Sequence, residues 1–391
     1  MLNVRSGVFL RMLLISAMAL PMLVFYAVGA LAPFLVADAL VPPGALGYLT
    51  LSAFGFAAIL SLWAGALVNH LGSRRSLVLL FFSSALAYGL MATVPGFLGL
   101  VLGLAVCGIA QALANPATNL LILERVPAQH KAAVVGLKQA GVQLSALVAG
   151  LLLPCVAQWL GWRVALLLMV PLALWLALTV PWVATRSVAN STPMRFALRR
   201  PNRLLSLLMA VQLCTGVALS SFVTFLGLFS TMQGMSPVVA GALLAVFGIT
   251  GILARVFLTP LGARMRDESL LLLVLLILAA FSVWMTSNAN ECQYWSLWLG
   301  SIGMGATAVA TNAIAMSMLL RDPGFGAPAV SAGMLSAGFF SGFALGPPVF
   351  GVLIHTDMGF DMAWNALVGV LLAGSLICWA LHRARGTEVD P

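Results

Sequence analysis

Acidic residues are scarce in this chain. Only 10 of its 391 residues are Asp or Glu, and each lies in or at the edge of a segment that connects long apolar runs. A charge inside a bilayer-spanning helix costs about 2.5 to 3.5 kcal/mol even on the mildest insertion scale, so such charges usually indicate function. The absence of carboxylates from the runs excludes proton symport through a membrane Asp or Glu and disfavours a carboxylate-based metal carrier.

Cysteine is also scarce, and its five residues form no recognisable site. Cys107, Cys155, Cys214 and Cys378 lie in apolar runs and Cys292 stands alone in a connecting segment, which excludes a disulfide framework and a zinc-ligand spacing. The chain also lacks a Walker phosphate loop, an HExxH pair and a GxSxG elbow. These absences argue against ATP-driven chemistry, a membrane metalloprotease and an esterase. The sequence therefore predicts a protein that is not an enzyme and that needs no cofactor or metal.

Apolar sequence, by contrast, is abundant. Apolar residues make up 62% of the chain and charged residues 7%, with a mean hydropathy of +1.08, which is more than a water-soluble core could bury. The runs are continuous rather than alternating and about 20 residues long, so they predict membrane-spanning helices. The predicted spans are 12–37, 45–68, 76–95, 97–122, 132–157, 163–184, 204–231, 238–262, 269–287, 294–319, 328–354 and 362–382.

The distribution of basic residues predicts which side each connection faces. Lys and Arg are retained on the cytoplasmic side of a membrane, and with a cytoplasmic N-terminus all but three of the 19 cations fall on cytoplasmic connections. The exceptions are Arg163, on an outer connection, and Lys138 and Arg255, inside apolar runs. This bias predicts a multi-pass protein of the bacterial inner membrane with both termini in the cytoplasm. The net charge of +9 needs no nucleic-acid partner, because this topology and the anionic headgroups of the lipid bilayer explain it.

The chain shows an internal repeat. GALVNHLGSR at 65–74 and RVFLTPLGAR at 255–264 end the second apolar run of each half and share Leu, Gly and Arg at matching places. These features predict a six-helix bundle over 1–184, a cytoplasmic linker over 185–203 and a second six-helix bundle over 204–391, an arrangement known among secondary carriers. The predicted fold class is an all-α integral membrane protein with twelve transmembrane helices in two pseudo-repeats.

One segment carries a family resemblance. GALVNHLGSRR at 65–75 resembles the loop 2–3 signature of the major facilitator superfamily (MFS) of transporters, and the similarity extends over essentially the whole chain. Asn69 replaces the family's Asp, and Gly103 stands where many members carry an Arg linked to proton coupling. KQAGVQLSALVAGLLLP at 138–154, followed by GWR at 161–163, is similar to the cyanate permease-like bacterial branch. The resemblance implies roles in a cytoplasmic gate for Gly65, Asn69, Gly72, Arg74 and Arg75.

The resemblance also implies a central cavity lined by spans 1, 4, 7 and 10 and open alternately to each side. The fourth span independently carries polar residues at spacings of three and four, including Thr118, which favours one polar face toward the cavity. The alternative is that amides and hydroxyls in membrane helices only bond neighbouring helices or their own backbone. The candidate substrate-binding residues on these spans are Tyr26, Gln111, Asn115, Asn119, Thr215, Thr311 and Asn312.

Lys138 and Arg255 are the remaining candidates for substrate binding. Each lies on a face of small residues about two turns from the predicted cytoplasmic end of its span, so we expect both to lie at similar depth where the halves meet. No membrane carboxylate is available to neutralise them, so the simplest source of a compensating negative charge is an anionic substrate that binds between them. The alternatives are that both cations snorkel to lipid headgroups or cap carbonyl groups, or that Lys138 carries a proton.

The eleventh predicted span contains Gly338, Gly342 and Gly346 at every fourth position, followed by Pro347 and Pro348. One interpretation is a gate helix that packs closely and kinks at the prolines, and the other is close packing alone. We predict gating roles for Gly342, Gly346 and Pro347.

These observations together predict a secondary transporter that takes up a small organic or inorganic anion, such as a carboxylate or a cyanate-like ion, by alternating access. Its partners would be the substrate, the lipid bilayer, and protons or a counter-anion, and it would work as a monomer. The alternatives are an exporter of a neutral or amphiphilic compound, and a membrane sensor that has lost translocation.

Overall fold

A computed structural model describes residues 4–38, 41–184, 200–265, 267–290, 293–326 and 328–386. These residues are helical almost throughout, as expected for apolar sequence that must satisfy its own backbone hydrogen bonds in lipid. The α-helices are α1 (Val4–Ala37), α2 (Leu46–Thr93), α3 (Gly96–Arg125), α4 (Ala128–Leu160), α5 (Trp162–Leu167), α6 (Met169–Val183), α7 (Arg203–Met232), α8 (Pro237–Arg264), α9 (Glu268–Ser287), α10 (Trp295–Ala306), α11 (Ala308–Arg321), α12 (Pro328–Leu353) and α13 (Gly359–Gly386).

Eleven helical segments of the described chain are long and apolar enough to cross a membrane. The predicted spans 45–68 and 76–95 both lie in α2, which accounts for the difference from twelve. The short helix α5 continues into α6 as one span, and α10 continues into α11 as another. The predicted all-α membrane fold is thus confirmed.

Helix α2 folds back on itself at Gly72. This residue has φ 80° and ψ 163°, a backbone conformation that is essentially restricted to glycine. A β-carbon added to Gly108 of α3 would lie 2.6 Å from the carbonyl oxygen of Ala53, and one added to Gly103 would lie 2.7 Å from that of Ala87. Because α3 packs closely on both limbs of α2, the limbs lie side by side, and a single glycine replaces the loop between them.

Ionic contacts tie together one end of the second half. A charge cluster consists of Asp267, Glu268, Arg321, Asp322, His382 and Arg385. The Arg385 guanidinium lies 2.6 Å from Asp267 Oδ1 and 3.0 Å from Asp322 Oδ2, Arg321 pairs with Glu268, and His382 pairs with Asp267. We call this end of the molecule, where Arg74, Arg125 and Arg264 also lie at helix ends or turns, the basic end.

Glycines bring helices of the two halves into direct backbone contact. A β-carbon on Gly150 of α4 would overlap the carbonyl oxygen of Gly241 of α8, and one on Gly47 of α2 would overlap that of Pro347 of α12. Gly29 of α1 packs in the same way on the backbone of α7. We call these three contacts the seams. The division into bundles 1–184 and 204–391 stays a prediction, and residues 185–199 of the linker lie outside the described residues.

Candidate functional site

A cavity of about 1490 Å³ lies between the two halves. It extends to the basic end, where Gly65, Asn69, Lys131 and Leu320 line it. At the other end, the α2–α12 seam and a layer of aromatic rings close it. The cavity therefore opens toward the basic end.

Eight of the residues predicted as binding or gating residues line this cavity. The lining includes one predicted cation, five predicted polar or aromatic side chains and two predicted gate residues. These residues are Arg255, Tyr26, Gln111, Asn115, Asn119, Asn312, Gly65 and Asn69.

Lys138 does not line the cavity with Arg255, which corrects the expectation that an anion binds between them. Its side chain is 1% exposed, and it points from α4 to α3, where Nζ donates to Asn119 Oδ1 at 2.7 Å, Thr118 Oγ1 at 2.8 Å and Asn115 Oδ1 at 3.4 Å. The small-residue face that Lys138 shares with Gly141 packs on α1, since a β-carbon on Gly141 would overlap the Ile15 carbonyl oxygen. Lys138 thus lies behind two of the amides that line the cavity.

Arg255 does reach the cavity, and it contacts the first half through Gln139. Arg255 Nη1 donates to the main-chain oxygen of Gln139 at 2.8 Å and to its Oε1 at 3.3 Å. Gln139 Nε2 in turn donates to Asn115 Oδ1 at 3.1 Å, the same oxygen that accepts from Lys138. The two predicted cations therefore lie at the same level, but a chain of amides connects them instead of an open gap.

Several polar atoms of the cavity wall have no hydrogen-bond partner in the described part of the chain. They are Nε of Arg255, Oε1 of Gln143 and Oγ1 of Thr259. Gln143 is only 2% exposed. An unpartnered buried polar group is costly, and each of these atoms is closed off from the space inside the cavity.

Aromatic side chains form the closed end of the cavity. Phe25 of α1, Phe54 of α2 and Phe343 of α12 pack together with ring centroids 4.7 to 5.5 Å apart. Phe339 and Phe340 extend this layer along α12, and Phe247 of α8 lies 6.4 Å from Tyr26. Such rings bury a large apolar surface and pack well against another apolar body.

Thr215 and Thr311 lie away from the cavity, contrary to their predicted role as binding residues. Both are fully buried. Thr215 Oγ1 donates to the Val211 carbonyl at 3.0 Å and Thr311 Oγ1 to that of Ala308 at 2.7 Å. These hydroxyls satisfy their own helix backbones, as the alternative interpretation of polar residues in membrane helices expected.

The predicted gate residues fall into two groups. Gly342 and Gly346 pack on the α7 backbone within the second half, while Pro347 contacts Gly47 across the α2–α12 seam. Helix α12 continues through Pro347 and Pro348. Gly72, Arg74 and Arg75 lie at the basic end, where Ser73 Oγ donates to Glu124 Oε2 at 2.6 Å. Their gating roles stay predictions.

Sequence reasoning missed seven polar residues of the wall, which are Ser61, Lys131, Gln139, Gln143, Thr259, Ser317 and Ser336. Two signals were available in the sequence. Gln139 and Gln143 are four residues apart on α4, and Thr259 follows Arg255 by four on α8, so each pair shares one helix face.

Comparisons with known proteins agree with this architecture. The sequence profile of the Major Facilitator Superfamily matches residues 13–327. A solved structure of a bacterial homologue of the human lysosomal transporter Spinster, in an inward-facing and occupied conformation, is 16% identical over 96% of this chain and 97% of that one, with a TM-score of 0.70. A structure of a mutant of the nucleoside transporter NupG is 14% identical over 95% of this chain and 99% of that one, with a TM-score of 0.77. At these identities the structures establish a shared fold, and the profile match establishes the family: this chain belongs to the Major Facilitator Superfamily of secondary transporters.

Proposed function

We propose that this transporter moves an organic anion by alternating access. The observation that carries the proposal is the charge of the cavity: its charged lining residues in the described chain are Lys131 and Arg255, both cations. The guanidinium of Arg255 is a donor group that suits a carboxylate. A cation as substrate would meet two like charges here.

The size of the cavity favours a carboxylate with an apolar body over a cyanate-sized ion. Binding pockets for drug-sized molecules have volumes of about 300–1,000 Å³, and this cavity reaches about 1490 Å³. Its closed end presents Phe25, Phe54 and Phe343. A triatomic ion would leave these rings without contact, whereas an aliphatic or aromatic acid would cover them.

We further propose that the basic end faces the bacterial cytoplasm and that transport is uptake. The concentration of Lys and Arg on connections at that end supports the orientation. The described residues of the wall include no carboxylate, so coupling would use a counter-anion, or a proton carried by Lys138 or by the substrate itself. The proposed site consists of Arg255, Tyr26, Gln111, Asn115, Asn119 and Asn312, with Lys138 acting through the amides that it holds.

The proposal can be tested by counterflow. The full chain would be reconstituted into liposomes and challenged with a panel of radiolabelled organic acids of increasing apolar size, together with their uncharged amides. We expect exchange of at least one acid and not of its amide, and a pH dye inside the liposomes would report whether protons accompany it. Exchange of amides at the same rate as acids would contradict an anionic substrate.

Export of a neutral or amphiphilic compound is the second candidate, and the aromatic layer favours it. The two functions predict different behaviour of Arg255→Gln. An anion carrier would lose affinity, whereas a carrier that recognises only apolar surface would not. Counterflow with the best acid and the best neutral compound, in wild type and variant, separates them.

A further inference from the structure

We propose that the cavity opens sideways to lipid between α2 and α12, and that its substrate is a single-chain amphiphilic carboxylate whose acyl chain lies in this opening while the carboxylate stays inside the cavity. This inference rests on the proposed anion transport and names the substrate class. We call the opening the portal, and its wall consists of Leu62, Trp63 and Ala66 of α2 and Val330, Gly333 and Met334 of α12.

Helix α2 lines the cavity with its outer side as well as with its inner side. The outer side is marked by Phe56 and Ile59, which are 53% and 58% exposed and lie outside the cavity wall. Trp63 follows Phe56 by seven residues and Ile59 by four, so it lies on the same side of the helix, yet it lines the cavity. The cavity therefore reaches around the edge of α2 as far as its outer side.

Helix α12 shows the same feature across the gap. Leu345 is 53% exposed, which marks the outer side of this helix. Met334 precedes Leu345 by eleven residues, which is about three turns, and Val330 precedes Met334 by four, so these three residues lie on one side. Met334 and Val330 nevertheless line the cavity, as Phe343 does on the inner side. Because both helices line the cavity with their outer sides, the space between them leads from the cavity to the lipid.

The wall on the opposite side of the cavity is joined at the same depth. Gly65 of α2 and Arg255 of α8 hold matching places in the internal repeat, so they lie at similar depth. On the α8 side, Arg255 connects to α4 through its hydrogen bond to the main-chain oxygen of Gln139. On the α2 side, a β-carbon on Gly65 would meet no heavy atom within 4 Å. The ring contact of Phe54 with Phe340, at 5.8 Å, lies about three turns nearer the closed end. At this depth α4 and α8 are joined, whereas α2 and α12 are apart.

The position of the portal relative to the cations defines the complementary ligand. The cations of the wall, Lys131 and Arg255, belong to α4 and α8, while the portal and the rings of Phe54 and Phe340 belong to α2 and α12. A carboxylate held by the cations would direct an attached chain across the aromatic rings toward the portal. A chain longer than the cavity can continue into the lipid without exposing its methylene groups to water. An alkyl carboxylate therefore matches both walls.

Fluorescence quenching tests the portal without any substrate. In a background free of native cysteines, Met334→Cys would be labelled with bimane and the full chain reconstituted into liposomes of lipids with brominated acyl chains. We expect these lipids and iodide in the water each to quench the label. Two controls lie on the same helix. A label on Leu345→Cys should be quenched by the lipids only, and one on Ser336→Cys, inside the cavity, by iodide only.

The binding of acids of two lengths tests the substrate class. Affinities for dodecanoate and hexanoate would be measured by isothermal titration calorimetry on the full chain in lipid nanodiscs, with empty nanodiscs as the blank. We expect dodecanoate to bind at least tenfold more tightly, because its chain reaches the site from the lipid and each buried methylene group adds to the affinity.

Gly333→Phe should lower the affinity for dodecanoate about tenfold and leave that for hexanoate unchanged. A β-carbon on Gly333 would meet no heavy atom within 4 Å, so the added ring has room to fill the portal. Gly369→Phe adds the same ring to α13, where a β-carbon is equally unobstructed, and should bind both acids as the wild type does. If Gly333→Phe does not fold, Ala66→Phe replaces it and narrows the portal from α2.

A Met334→Cys label that only one of the two quenchers reaches would overturn the portal. Equal affinity for the two acids, no binding by either acid, or unchanged dodecanoate affinity in the portal variants would overturn the substrate class. The proposed anion transport fails on a different result. If dodecanamide and hexanamide bind as tightly as the acids, the negative charge is not recognised, whatever the effect of chain length.

Discussion

At the scale of single residues, neutral oxygen atoms hold the buried cation Lys138. Its Nζ donates to an amide of Asn119 and to the hydroxyl of Thr118. Burying a charge is costly unless it is hydrogen-bonded, and bonds to the charged form offset part of that cost. Through these hydrogen bonds Lys138 holds the side chains of Asn115 and Asn119 in place, and both residues line the cavity.

Lys138→Met is expected to lower the free energy of unfolding by about 1–3 kcal/mol, because Thr118 and Asn119 would lose their donor. Thermal unfolding in detergent micelles, followed by tryptophan fluorescence, measures the change. Lys131→Met removes a cation outside this network, and we expect this variant to unfold at the same temperature as the wild type. A Lys138→Met protein as stable as wild type would show that the network contributes little to the fold.

Arg255→Gln is expected to weaken the binding of an anionic substrate about 10- to 100-fold, since a charge-assisted hydrogen bond contributes about 1.5–3 kcal/mol. Arg255→Lys keeps the charge but lacks the planar guanidinium group, so its affinity for the anion should lie between those of the wild type and Arg255→Gln. The concentration of acid that gives half-maximal counterflow reports the effect. Arg163 stacks over the Trp162 ring at 4.5 Å, away from the cavity, so Arg163→Gln serves as a control. Unchanged counterflow by Arg255→Gln would remove Arg255 from the binding site.

At the scale of helices, the contact of Gly47 with Pro347 closes the end of the cavity opposite the basic end. Gly47→Val is expected to prevent this closure, because its side chain would occupy the place of the Pro347 carbonyl. The rate at which N-ethylmaleimide labels a Thr50→Cys reporter, in a background free of native cysteines, measures how open that end is. We expect faster labelling and slower transport.

Gly89→Val provides the matched control on the same helix, since a β-carbon at Gly89 would meet no heavy atom within 4 Å. It should leave the labelling rate unchanged. Equal rates in both variants would show that the α2–α12 contact does not control access.

The charge cluster at the basic end makes stability depend on pH. Burial alone would raise the pKa of Asp267, but hydrogen bonds from Ser269 and His382 and the charge of Arg385 outweigh it, so this pKa lies below its ordinary value. A carboxyl with a lowered folded-state pKa stabilises the fold fully above the unfolded value of about 3.9, and this stabilisation is lost as the pH falls through the folded-state pKa.

The melting temperature of Asp267→Asn should therefore be lower than that of the wild type at pH 7. The difference between the two melting temperatures should shrink as the pH falls below about 4. Melting curves across this range test the prediction. Asp357 is exposed and serves as the control. Asp357→Asn should have the same melting temperature as the wild type at every pH. A difference between Asp267→Asn and wild type that does not change with pH would assign the effect to something other than this titration.

Helix α4 shows what could be predicted from sequence and what could not. Its existence and length follow from about 20 apolar residues, and counting by helical period places Lys138 and Gly141 on one face. The helix has a second small-residue face with Gly150, however, and only the packing decides that Gly141 meets α1 and Gly150 meets α8. The direction of Lys138 therefore depends on neighbours that are distant in sequence, and periodicity within one helix cannot supply it.

The polar strip of α3 was more predictable. Gln111, Asn115 and Asn119 stand four residues apart and do share the cavity wall. Thr118, one position away, turns instead to Lys138 and to the Ala114 carbonyl. Spacing predicts which residues lie on one side of a helix, but not which hydroxyls are already satisfied by the backbone.

At the scale of the whole molecule, Thr50 and Thr224 connect the two halves, with their hydroxyl oxygens 3.1 Å apart. In a background free of native cysteines, the pair Thr50→Cys and Thr224→Cys should form a disulfide on oxidation, because the side chains are close to bonding distance. We expect transport to stop, since alternating access requires the halves to separate at this end, and to resume after reduction. Counterflow before and after dithiothreitol measures this. The single variant Thr50→Cys should be insensitive to oxidant, and full transport by the cross-linked pair would contradict alternating access at this seam.

The glycine contacts at the seams also have an electrical consequence. Gly29, Gly47 and Gly150 bring backbone directly against backbone, which leaves little room for a file of water between the halves. An ion would have to give up its hydration to pass, at a cost of order tens of kcal/mol in an apolar medium. A planar bilayer that contains many copies of this protein should therefore carry no measurable current under an applied voltage, even while its cavity stands open to one side.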